Sequence, residues 1–191
     1  SKVIKARTIT DVWFNLSIPD GTIVQELDWI VDINDGVLNN SKYSLVLPVK
    51  VDPTYSITLT PDKLSNPAAT LFPGDKANIT MNLKNNGNQL ATWNLGGTFD
   101  TSEWPSENIQ WYDSATGEAI SLLNSSINEE FILNAEITAP EGLAPGIYTL
   151  TLIANGRAPA IFQSETVMYI EVPVYHNLVV APISNSLIAP A

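Results

Sequence analysis

The sequence predicts an all-β protein of antiparallel sheets packed face to face. Three observations predict it. Apolar and polar residues alternate at period two along several segments, turn residues separate those segments at short spacing, and no window of helical length carries a clean apolar stripe. A period of two turns one side of each strand toward a core and the other toward solvent.

Residues 1–51 supply about four strands, too little apolar area to fold robustly alone. Pro48 lies in an apolar strand there, which places it at an edge or a strand end, because proline cannot donate to a ladder. Pro73-Gly74-Asp75 turns the chain into a strand over Lys76–Lys84, where Ala77, Ile79, Met81 and Leu83 alternate with polar neighbours. Asn85-Asn86-Gly87-Asn88 reads as a tight hairpin, since Asn and Gly tolerate positive φ. Leu90–Leu95 follows, and Gly96-Gly97 is expected to break it. Ile109–Tyr112 and Glu118–Leu122 flank Asp113-Ser114-Ala115-Thr116-Gly117, a second hairpin. Phe131–Thr138, the Pro140–Pro145 turn, Ile147–Ala154 and Glu165–Val172 complete the set. Pro173, like Pro48, marks a strand exit and stiffens a junction.

One motif set occurs twice. Ser17-Ile18-Pro19-Asp20-Gly21 is echoed by Thr138-Ala139-Pro140-Glu141-Gly142, and Trp29–Gly36 by Leu150–Gly156. Leu45-Val46-Leu47-Pro48-Val49 is echoed by Ile170-Glu171-Val172-Pro173-Val174, and Ile57–Pro61 by Leu178–Pro182. The offsets stay near 120–125 residues, about one sandwich domain. The chain therefore divides into 1–51, the C-terminal part of a preceding repeat; 52–175, one complete repeat; and 176–191, the first strand of a following repeat or an interaction tail.

Composition narrows the function. The net charge of −11 opposes nucleic-acid binding, which needs clustered Lys and Arg. The absence of cysteine removes disulfides, thiolate chemistry and Cys-ligated metal sites. No apolar run is long enough to cross a bilayer, so no membrane insertion is expected of this segment. No leader is read at the start, which predicts a mature or excised segment. Four sequons, at Asn15, Asn39, Asn78 and Asn124, point to an external, glycan-bearing protein.

Two stretches carry a family pattern. Leu71-Phe72-Pro73-Gly74-Asp75 with the strand running to Asn88 resembles the opening of Ig-like surface domains. Glu141–Leu152, with Pro145-Gly146-Ile147-Tyr148, resembles a strand of the same group. The chain thus resembles the CARDB-type and NEW3-type β-sandwich repeats of prokaryotic, above all archaeal, surface proteins. They also serve as accessory modules of secreted glycosidases. The resemblance implies an Ig-like sandwich and carries over no catalytic motif. From the residues themselves, Pro145-Gly146 makes a sharp corner, and Tyr148 matches tyrosine-corner logic: ring inward, hydroxyl bonded to upstream backbone.

Candidate chemistry is sparse. His176 stands without partners for a triad or a zinc site. Glu129-Glu130 and Asp100/Glu103 are the nearest to carboxylate pairs, and read as loop-end charges. Asp32, Asn34 and Asp35 resemble part of a calcium loop without EF-hand spacing; a hairpin turn through Asn34, Asp35 and Gly36 is the first reading, and a calcium site at an inter-domain junction the alternative. Trp104, on a loop, and Trp111 with Tyr112, on a strand where they face opposite sides, are candidates for stacking on sugars; anchoring of the loop on the sandwich is the other reading of Trp104.

These readings exclude an enzyme and a required cofactor, with calcium the one candidate ion. They predict a structural or interaction module of a cell-surface array: an S-layer, stalk or adhesin. Expected partners are neighbouring domains or subunits of the same protein, and glycans. The alternatives are a binding module beside a secreted hydrolase and a filament subunit assembled by strand addition.

Overall fold

The computed structural model describes residues 11, 13–19, 21–34 and 42–176, with backbone alone at 33, 34 and 42. The strands run in chain order as β1 (Gln25–Asn34), β2 (Lys42–Val51), β3 (Ile57–Pro61), β4 (Ala69–Thr70), β5 (Lys76–Asn85), β6 (Ala91–Phe99), β7 (Ile109–Asp113), β8 (Ala119–Ile120), β9 (Leu122–Ser125), β10 (Glu130–Thr138), β11 (Gly146–Gly156) and β12 (Gln163–Val172). Two five-stranded sheets, β3-β5-β10-β7-β8 and β4-β12-β11-β6-β9, face one another as an Ig-like sandwich. All pairing is antiparallel except a two-residue parallel bridge from β4 to β12.

The period-two reading locates the core. Met81, Leu83, Leu133 and Ile137 of one sheet and Trp93, Leu150, Leu152 and Ile170 of the other are fully enclosed. Each contributes about 1.5–3 kcal/mol by leaving water. Side chains also join the sheets. On one side Ser164 Oγ accepts from Leu59 N (3.1 Å) and Thr166 Oγ1 donates to Leu59 O (2.5 Å), which occupies backbone groups of edge strand β3. On the other, the chain crosses from β8 to β9 through Ser121, whose carbonyl accepts from Leu95 N (2.9 Å).

Two expectations are corrected. Asn85–Asn88 is no hairpin: β5 and β6 lie in different sheets, so the segment arches across the sandwich. Gly87 has no positive φ. It is glycine because a Cβ would stand 2.5 Å from the carbonyl oxygen of Thr54. Gly96-Gly97 does not end its strand either. β6 runs through to Phe99; the missing Cβ of Gly97 gives room to Ile109, whose Cδ1 would stand 2.9 Å from it, and the carbonyl of Gly96 accepts from Trp111 Nε1 (3.2 Å). The Asp113–Gly117 turn is a hairpin as read, with Gly117 at φ +72° and Asp113 Oδ1 accepting from Ala115 N (2.7 Å).

Strands β1 and β2 form a separate two-stranded sheet. Its register puts Leu27, Trp29, Val31, Leu45, Leu47 and Val49 on one face. Phe14 packs edge-on against Trp29 (4.7 Å), while Leu27 and Leu45 stay about half exposed (45% and 51%). The other face mixes Glu26, Asp28, Asp32, Ser44 and Lys50 with exposed Ile30 and Val46.

The sandwich is threaded end to end. The chain enters at Ile57, opposite Asn85, and leaves at Val172, opposite Gly146. Asn85 and Gly146 mark opposite poles, since Trp104 binds Thr138 at the far end of β10 and packs on Tyr148 beside Gly146.

Candidate functional site

Most of the candidate residues act in the fold. Trp104 is 1% exposed, stacked on Phe99 (4.0 Å, 9°) and edge-on to Tyr148 (5.4 Å). Its Nε1 donates to Thr138 O (2.9 Å). It plugs the exit pole of the core, which corrects the sugar-stacking expectation in favour of loop anchoring. Trp111 is 2% exposed and its indole is bonded to Gly96, so it is also withdrawn from stacking. Tyr112 points the other way, half-buried on the outer face opposite Asn134. That face is polar: Thr80 Oγ1 donates to Asn134 Oδ1 (3.0 Å), and Lys76 Nζ binds Glu136 Oε1 (2.7 Å). This hydrogen bond to Glu136, with its charge, holds the Lys76 pKa above the ordinary ammonium value.

The corner at Pro145-Gly146 leads into β11, and Tyr148 Oη donates to Ala144 O (2.7 Å). Desolvation, then Glu103 and Asp100, push the phenol above its usual pKa of about 10. The folded state therefore holds this proton more tightly than the unfolded chain. Its contribution is complete below the unfolded pKa and is lost as pH rises through the folded one. Tyr148→Phe is expected to cost about 1 kcal/mol at neutral pH and to flatten the loss of melting temperature above pH 10. Urea melts at neutral and alkaline pH check both; a variant melting like the wild type at every pH removes the role of the hydroxyl.

Asp100 Oδ1 accepts from Thr149 N (3.1 Å) and Glu129 Oε2 from Ser126 N (2.6 Å), while Glu130 faces Lys84 across the ladder. Glu103 and His176 are exposed. Among the described residues no three His, Asp or Glu side chains converge on a metal-sized site. Asp32 Oδ1 accepts from Ser44 Oγ (2.5 Å). The side chain of Asn34, and Asp35 itself, lie outside the described residues, as does Asn39. Asn15, Asn78 and Asn124 are exposed.

One groove escaped the sequence reading. It opens at the entry pole, with a volume of about 650 Å³, between Leu90, Thr92, Asn124, Ser126, Arg157 and Pro159. The signal was present: Arg157 is one of two arginines in an acidic chain. Local patterning could not show that the β11–β12 turn brings it beside β6 and β9.

No family model matches the chain, and no curated protein matches it. Solved structures match it weakly and in part. A family 123 glycoside hydrolase from Clostridium perfringens matches at 16% identity and TM-score 0.43, over 55% of this chain and 22% of that one. Domains 4 and 5 of the S-layer protein SbsC match at 21% identity and TM-score 0.33, over 69% and 53%. A CARDB domain from Pyrococcus furiosus, solved with di-metal ions, matches at 9% identity and TM-score 0.32, over 62% and 88%. The chain thus spans about a fifth and about half of the first two. Among the described residues no helix is long and apolar enough to cross a membrane.

Proposed function

We propose that the chain is a non-catalytic structural and interaction module of an extracellular surface protein, one unit of an S-layer, stalk or adhesin-type tandem array. The observation that carries this reading is the threading: the chain enters the sandwich at one pole and leaves at the other, the geometry of beads on a line. Both echoed segments pair as antiparallel strands, β1 with β2 and β11 with β12, in registers that differ by four residues: Trp29 faces Leu47, whereas Leu150, the echo of Trp29, faces Met168, and Val172, the echo of Leu47, faces Gly146. In this reading β1–β2 is the counterpart of β11–β12 in a preceding repeat, and the boundaries fall near residues 51 and 175. Antibody raised against the sandwich is expected to label intact cells, and the label to disappear after protease treatment of the cell surface. Labelling only after permeabilisation sinks the surface assignment.

A second reading is favoured by β1–β2. A lone pair of strands is marginal in water, and this one leaves Leu27 and Leu45 about half exposed and Tyr43 more so. In a filament assembled by strand addition, the apolar segment Leu178–Ile188 of one copy would cover this face of the next. Sedimentation across a wide range of concentration is expected to show growing head-to-tail oligomers, abolished by Leu27→Asp with Leu45→Asp. A monomer at every concentration removes the filament and leaves the covalent array standing.

A further inference from the structure

We propose that the groove beside Arg157 is a binding subsite for an acidic saccharide, a sugar bearing a carboxylate. It does not rest on the array reading, because the groove lies wholly within the sandwich.

The position of Arg157 is built by backbone. Its N–H donates to Thr92 O on β6 (2.9 Å), its carbonyl accepts from Ala160 N (2.8 Å), and Gly156 N donates to Phe162 O (2.7 Å). The turn is thereby tied to both its own hairpin and the neighbouring strand. Its guanidinium makes no hydrogen bond or ion pair among the described residues. This is unusual company for an arginine in a chain with 20 acidic and 9 basic residues. Among the described residues none lining the groove is acidic, and the nearby Glu129 is turned onto Ser126 N. Among the described residues the guanidinium fork is therefore free for an external carboxylate, which it matches bidentately.

The rest of the lining fits a sugar ring. Thr92 Oγ1 donates to Asn124 Oδ1 (2.7 Å), which fixes the amide and leaves its Nδ2 donors for a ligand hydroxyl. Ser126 adds a hydroxyl to the same wall. Leu90 is 71% exposed at the rim, and with Pro159 it offers an apolar surface to the C–H face of a pyranose. One cation, neutral donors and an apolar wall suit a single carboxylate on a hydroxyl-rich ring. A phosphate cluster would call for several cations.

The saccharide has two sources: free polysaccharide, or a glycan carried by Asn124, whose sequon lines the groove itself. Unglycosylated protein should be titrated with oligogalacturonate and, separately, with a neutral oligosaccharide of equal length, followed by amide NMR. The acidic sugar is expected to shift Thr92, Asn124, Ser126 and Arg157 and to bind more weakly as salt rises. Arg157→Ala should weaken it at least tenfold, Arg157→Lys less, with melting temperatures unchanged because the side chain is exposed. Protein from its own cells then separates the sources. An Asn124 glycan that blocks added oligogalacturonate until it is cleaved off assigns the groove to the protein's own glycan; an open groove assigns it to free polysaccharide. No shift at these four residues, equal binding by Arg157→Ala, or equal binding of the neutral sugar overturns the proposal.

Discussion

Gly156→Ala is expected to destabilise the sandwich by about 3 kcal/mol or more, a loss of roughly 10 °C in melting temperature for a domain of this size. The reason is space, since Gly156 has no positive φ. An added Cβ would lie 1.9 Å from the carbonyl oxygen of Ala160 and 3.0 Å from Cζ3 of Trp93. Neither neighbour can give way. Ala160 is 1% exposed and its carbonyl belongs to the turn that closes β11 onto β12; Trp93 is fully buried, with Nε1 held by Ser125 Oγ (2.7 Å). Relief would have to break the 2.7 Å bond from Gly156 N to Phe162 O and move the turn away from β6. Gly96→Ala is the control, because a Cβ there meets nothing within 4 Å. It should fall within about 1 kcal/mol of wild type, on either side. Thermal melts of the two variants decide the matter. If Gly156→Ala melts within a degree or two of wild type, the tight-approach explanation fails.

The contrast between those glycines shows what was legible. Strand positions followed from period two: Leu150, Leu152 and Ala154 are inward, as their alternation with Thr149, Thr151 and Ile153 requires. The sheet to which each strand belongs did not follow, because local alternation carries no information about partners. Gly96-Gly97 read as a breaker by propensity, yet a strand tolerates glycine where another side chain needs the space, and the side chain that needs it at Gly97, Ile109, comes from twelve residues away. Trp104 was ambiguous for a similar reason. A tryptophan among turn residues is either a ligand platform or the lid on an open end of a sandwich, and only the Phe99–Trp104–Tyr148 stack decides between them. The groove at Arg157 needed three distant strand ends to meet. The tyrosine corner needed only a bond four residues long, and it was visible in the sequence.

Asn85→Ala is expected to be nearly as costly, at about 3 kcal/mol. Turn chemistry alone makes this residue a tolerant loop position, whereas the structure makes it a fully buried clamp at the entry pole. Its Oδ1 accepts from Gly87 N (2.9 Å), and its Nδ2 donates to Gln89 O and Ser126 O (3.0 Å each). Those three bonds tie the β5–β6 arch to the segment leading into β10. Asn88 continues the clamp, accepting from Thr54 N (2.7 Å) and donating to Asp52 O (3.0 Å), which fastens the linker from β2. Truncation at 85 leaves one donor and two acceptors in a site that water reaches poorly, so the loss exceeds that of removed packing. Asn85→Asp separates the two contributions. It keeps the volume and the acceptor for Gly87 but turns a carboxylate toward two carbonyl oxygens. Its pKa should therefore be raised in the folded state, so the variant should be least stable at neutral pH and recover as pH falls through that pKa. Urea midpoints for Asn85→Ala and Asn85→Asp across the acid range test this. If Asn85→Asp matches wild type at neutral pH, the two Nδ2 hydrogen bonds contribute nothing and the clamp is packing and the Gly87 bond alone.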